Sequence, residues 1–178
     1  MVKDKPATYG RVSRWLHWLS ALTITFLLIN GYLIANVASE AEQAIMYPVH
    51  VLIGWITLIL MVIRIVWLFI APTPEDLPSL SPLKEQLFKW NHILLYIFVI
   101  LMLVSGLGML RFSGISLLPG GVTPEAIQDG PPRFAHGTLW IIVALLVLMH
   151  LVGLFYYQIT EGDSLARMGV NLKKKSSS

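Results

Sequence analysis

Five histidines, His17, His50, His92, His136 and His150, fall inside or at the ends of four long apolar stretches, in a chain with no cysteine. His136 and His150 are fourteen residues apart in what reads as a single helix. At about 100° per residue their side chains return to within about 40° of one face, about 21 Å apart along the axis. That distance is close to the spacing of two flat macrocycles stacked across a hydrocarbon core of about 30 Å. An imidazole in lipid calls for a partner, and haem iron is a common one. The pattern points to one-electron chemistry on two haems held inside a membrane. Without cysteine there are no disulfides, iron–sulfur clusters, thiolate zinc sites or covalent c-type haem attachments, so side-chain ligation and packing must hold any haem.

The elements that would position these rings are legible from hydropathy. The chain has 178 residues, 56% of them hydrophobic, and a mean hydropathy of +0.69, too apolar for an ordinary soluble domain. Spans long enough to cross a bilayer run at about 15–37, 48–71, 90–111 and 135–157. Arg64 is the one formal charge within them, with Arg111 at a boundary. The expected architecture is all-α: a single integral membrane domain over 1–178, folded as an antiparallel four-helix bundle. No sequence repeat is evident.

Eleven basic residues flank one side of this bundle and two the other. Lys3, Lys5, Arg11 and Arg14 precede helix 1; Arg64, Lys84 and Lys89 surround the middle connection; Arg167 and Lys173 to Lys175 follow helix 4. The first connection, Ala38 to Tyr47, carries only Glu40 and Glu42, and the third only Arg111 and Arg133 as basic residues. Both termini are therefore expected on the cytoplasmic side. The basic pI follows from this bias, so no nucleic-acid partner is invoked. The first apolar run lacks a convincing small-residue cleavage site and reads as an uncleaved anchor.

Punctuation along the chain fits this plan. Trp15, Trp18, Trp90 and Tyr156 suit the water–lipid boundary. Pro48 stands where a second helix could begin. The middle connection, 71–82, has four prolines and reads as extended. The third connection, Phe112 to Phe134, is rich in Gly and Pro and reads as a cap over the periplasmic face, with a short helix at Pro124 to Gln128. Residues 172–178 form a basic, serine-ending tail suited to anionic lipid.

Topology sorts the histidines by depth. His50 and His136 fall near the periplasmic side, and His17, His92 and His150 near the cytoplasmic side. A low-spin b haem needs two neutral imidazoles, one on each face. The outer level offers one pair, His50 with His136. At the inner level His150 belongs by its spacing and His17 is the favoured partner; His17 with His92, or His92 with His150, remain open. Gly31 is fourteen residues after His17, and Gly106 fourteen after His92, so each can let a porphyrin approach the backbone at the outer level. Arg64, fourteen residues after His50, stands at the inner level and suits a haem propionate or a quinone headgroup. A lone histidine near a helix end is ordinarily an interfacial polar residue. Five of them sorted into two depths argue for more.

The chain resembles the bacterial cytochrome b561 family over nearly its whole length. The features that carry the resemblance are Arg14-Trp-Leu-His17-Trp18, Val49-His50-Val51 with Gly54, and Met61-Val-Ile-Arg64 followed by Pro72-Thr-Pro74. His92, Phe134-Ala-His136-Gly-Thr-Leu139 and His150 complete them. The resemblance implies a multi-pass protein of the bacterial cytoplasmic (inner) membrane with two b haems. It implies helix 4 giving one ligand to each haem, hence His17 with His150 and His50 with His136. It also implies a quinone, ubiquinone or another, near the inner haem beside His92, Arg64 and His150. One member of the family is a superoxide:ubiquinone oxidoreductase, so superoxide is the expected periplasmic donor, drawn in by Arg111 and Arg133. The alternative is a haem-bearing anchor taking electrons from a separate periplasmic dehydrogenase; a small transporter or scaffold is the non-redox reading. Some members carry further histidines where this chain has Tyr157 and Gln158.

Overall fold

A computed structural model describes residues 8–72, 74, 81–117, 122–123, 125–160 and 164–170. Lys3, Lys5, most of the proline-rich middle connection, Pro119 to Gly121 and the tail at 172–178 lie outside the described residues. Among the described residues five helices follow in order: α1 (Arg11–Asn36), α2 (Glu40–Ile70), α3 (Pro82–Phe112), α4 (Pro131–Thr160) and the short α5 (Ser164–Arg167). Each of the first four is long and apolar enough to cross a membrane. Their outward side chains are large and bare, among them Phe69 at 87% and Ile159 at 83% exposure. In water such a surface would be a liability, whereas lipid is the solvent it fits.

The helices start before the expected apolar spans, because a capping residue or a proline can begin a helix outside the apolar run. α2 begins eight residues before Pro48, at the Ser39–Glu42 capping box, where the Glu42 carboxylate accepts from the Ser39 N–H and hydroxyl, both at 2.7 Å. Pro48 thus lies inside α2 and does not start it. α3 and α4 each open on a proline, whose missing N–H costs nothing at a helix's first position.

α1 packs along α2 and α3 along α4, with a slimmer seam between α2 and α3. The molecule is thus two antiparallel hairpins set side by side. Met61, Val99, Met102 and Val143 form the central core. Ser20 and Thr57 are fully buried, and each hydroxyl donates to a carbonyl one turn back on its own helix, Leu16 at 2.6 Å and Ile53 at 2.7 Å. Trp140 of α4 ties the hairpins together by donating to the Leu28 carbonyl at 3.0 Å.

The third connection folds over one end of the bundle, burying Val122 and Ile127 against Leu110. Trp55 donates to its Leu117 carbonyl at 2.6 Å. A short helix was expected at Pro124 to Gln128; Pro124 lies outside the described residues, and 125–126 form a turn, with Ala126 N–H on the Thr123 carbonyl, followed by a bend at 127. At the opposite end the described termini meet. Tyr9 N–H donates to the Arg167 carbonyl at 3.2 Å and Trp18 to the Met168 carbonyl at 3.1 Å.

Candidate functional site

The histidines gather at two levels. At the capped end, His50 on α2 and His136 on α4 face each other across the gap between hairpins, ring centres 6.3 Å apart and planes at 77°. At the termini end, His17 on α1 and His150 on α4 stand 6.2 Å apart at 54°. His92 on α3 is closer to His150, at 4.9 Å and edge-on. Two imidazoles sharing one metal, each nitrogen about 2 Å from it, have ring centres about 6 Å apart. His50 with His136 and His17 with His150 meet that separation, and His92 with His150 falls short of it.

Hydrogen bonds decide which ring nitrogen is free. His50 donates from Nδ1 to the Asn30 side-chain oxygen at 3.0 Å. His136 donates from Nδ1 to the Ser105 hydroxyl at 2.9 Å and the Met102 carbonyl at 3.1 Å, while that hydroxyl itself donates to Met102 at 2.7 Å. Both rings therefore keep Nε2 bare, the tautomer of a metal ligand anchored from behind. His92 is similar, donating from Nδ1 to the Phe88 carbonyl at 2.8 Å. His17 differs. Arg64 donates to its Nδ1 at 2.7 Å, and a guanidinium is never an acceptor, so here the ring proton sits on Nε2. The same guanidinium lies 5.2 Å from the Tyr96 ring centre.

A cavity of about 600 Å³ opens at the His50–His136 level between the hairpins. Its walls include Gly54 and Gly137, where an added Cβ would meet nothing within 4 Å. Gly31 and Gly106 back it from α1 and α3, and a Cβ on either would stand 3.3 Å from Cε1 of His50 or His136. A bare nitrogen on each side, an apolar volume and glycine walls fit a flat iron macrocycle. Arg64 lies at the other level, as its spacing requires. Arg133 borders the cavity and pairs with Asp129 at 2.9 Å, while Arg111 is exposed at the end of α3.

A correspondence links the two hairpins. His17 and His92, Asn30 and Ser105, and Gly31 and Gly106 are matched positions of α1 and α3 at one constant offset. His50 and His136, Thr57 and Val143, and Arg64 and His150 are matched positions of α2 and α4 at another. Thr57 and Val143, one such pair, are both buried, at 0% and 1% exposure. Asn30 and Ser105 are the residues that sequence reasoning missed. A polar side chain immediately before each cavity glycine was the available signal.

Fold and site together define a multi-pass membrane protein built around paired imidazoles, a class suited to carrying haem. The sequence pattern of prokaryotic cytochrome b561 matches residues 8–170. The chain belongs to that family, and so is a membrane haem b protein of electron transfer. It is 29% identical over 174 residues to cytochrome b561 homolog 2 of Escherichia coli K12, covering 93% of each chain. It is 28% identical over 167 residues to the probable superoxide oxidase CybB of Yersinia pestis, covering 90% of this chain and 94% of that one.

Proposed function

We propose that this protein holds two b haems, one between His50 and His136 and one between His17 and His150, and passes electrons from a periplasmic donor to a membrane quinone. The observation that carries the reading is the pair of ring separations, 6.3 Å and 6.2 Å, each across the hairpin gap. The haems, when bound, supply one-electron carriers at two depths. His50 and His136 bind from opposite hairpins, held from behind by Asn30 and by Ser105 with Met102. His17 binds through Nε2, which moves its proton to Nδ1 and releases Arg64 for an anion, a haem propionate or a quinone oxygen. His92, with Nε2 bare and beside His150, serves as proton acceptor or donor to the quinone. The eleven-to-two basic bias supports cytoplasmic termini, the inner membrane, and hence the His50–His136 level facing the periplasm.

Superoxide is the donor this reading favours, from the likeness to a probable superoxide oxidase. A pyridine haemochrome assay should give two haems per chain, falling to one in His136→Ala and in His150→Ala. A variant retaining two refutes the ligand assignment. Rapid-mixing reduction of the isolated protein by superoxide, with and without quinone, tests the donor. Absence of reduction would favour a dehydrogenase partner instead.

A further inference from the structure

We propose that Asn30 is the positioning residue of the capped-end haem, setting the orientation and basicity of His50 and through it the reduction equilibrium of that haem. This rests on the ligand reading above and goes beyond it by assigning a role to a residue outside the ligand set. The argument starts from cost. A primary amide in a membrane helix is expensive unless its polar atoms are engaged. Asn30 is 8% exposed, and its oxygen takes the Nδ1 proton of His50 at 3.0 Å. Gly31, the next residue, removes the Cβ that would crowd the same ring. Amide and glycine together make a seat that holds one face of the ring and polarises its N–H.

The matched position on the other hairpin supplies an internal comparison. Ser105 and Gly106 form the equivalent seat for His136. There, however, the Met102 carbonyl also accepts the ring proton, at 3.1 Å. That acceptor is backbone and survives any side-chain change. For His50 the Asn30 side chain is the one Nδ1 acceptor among the described residues. The two ligands of one haem are thus anchored unequally, and the α2 side can be retuned by one substitution. An acceptor behind the ring raises imidazole basicity and favours the oxidised metal, so losing it should favour the reduced form.

The test uses the full chain in detergent or nanodiscs, with Asn30→Leu, Asn30→Asp and Ser105→Ala read by haem content, redox titration and low-temperature EPR. Asn30→Leu removes the acceptor at similar volume. It should shift the reduction equilibrium of one haem toward the reduced form by about tenfold, about 59 mV for one electron, and alter that haem's EPR signal. Asn30→Asp keeps an oxygen in place, so that haem should stay at or below its original potential. Ser105→Ala should change it less than twofold, because Met102 remains. Loss of one haem in Asn30→Leu, with retention in Asn30→Asp, would equally support the role. The proposal is overturned if Asn30→Leu keeps two haems with both potentials and spectra unchanged. It is overturned too if Leu and Asp variants shift together or both lose the haem, which would mark simple packing. Failure of the underlying reading looks different: the unsubstituted protein would lack two haems, or His50→Ala would keep both.

Discussion

An arginine beside a histidine dictates which ring nitrogen holds the proton. Arg64 donates to His17 Nδ1, and so opposes the tautomer that iron needs at Nε2. Under the proposed ligation, a haem between His17 and His150 would need the His17 proton on Nδ1 and would free the guanidinium for an anion. Its positive charge would then stay close to the iron and favour the electron-rich state. Arg64→Gln keeps a donor and removes the charge. A redox titration should show one haem becoming harder to reduce by about tenfold, about 59 mV, with the other nearly unmoved. Equal shifts in both haems would place Arg64 elsewhere. Arg64 could be placed from sequence because fourteen residues carry it down the His50 face. Asn30 was marked only by its place before Gly31; its partner was not legible, since no spacing within one helix reports which helix turn lies opposite His50.

At the scale of elements, hydropathy made four helices legible because lipid selects long apolar runs. It was silent about ends. Ser39 and Glu42 begin α2 well before its apolar run, and Gln158 continues past α4 by accepting from Leu165 N–H at 3.0 Å and the Ser164 hydroxyl at 2.9 Å. These are local polar bonds that no hydropathy window detects. Tyr157 is thus buried, and Gln158 is the lock for α5. The cavity glycines were legible by spacing, and the contact distances add a graded prediction. At 3.3 Å from a histidine ring, an alanine at Gly31 or Gly106 requires a shift of a few tenths of an ångström. It also gains about 1 kcal/mol of helix propensity. Gly31→Ala and Gly106→Ala should keep both haems, with melting temperature near that of the parent. Gly31→Leu and Gly106→Leu should each lose the capped-end haem while keeping the other. Haemochrome stoichiometry decides, and Leu variants that keep two haems would remove these glycines from the site.

At the scale of the whole molecule, two hairpins with matched residues meet across a gap that neither fills. The matched helices α2 and α4 bring His50 and His136 face to face across that gap, ring centres 6.3 Å apart. The match fails at the termini end, where Arg64 takes the place matched to His150. One level therefore presents two matched imidazoles, and the other a further histidine and a cation. At the capped end the field is also uneven. Arg111 and Arg133 are exposed there, but Asp129 holds Arg133 at 2.9 Å and is 92% exposed itself. Such a surface pair adds little to stability. A small anion approaching the cavity nevertheless meets the sum of its charges, and Asp129 cancels much of the attraction Arg133 would exert. Asp129→Asn should therefore speed haem reduction by superoxide about two- to threefold at low ionic strength. Arg111→Gln with Arg133→Gln should slow it by a similar factor. Both differences should vanish in 1 M salt, where screening acts within about 3 Å. Rapid-mixing rates across a salt series settle the matter: rates indifferent to all three substitutions would show that charge at this end does not guide the donor.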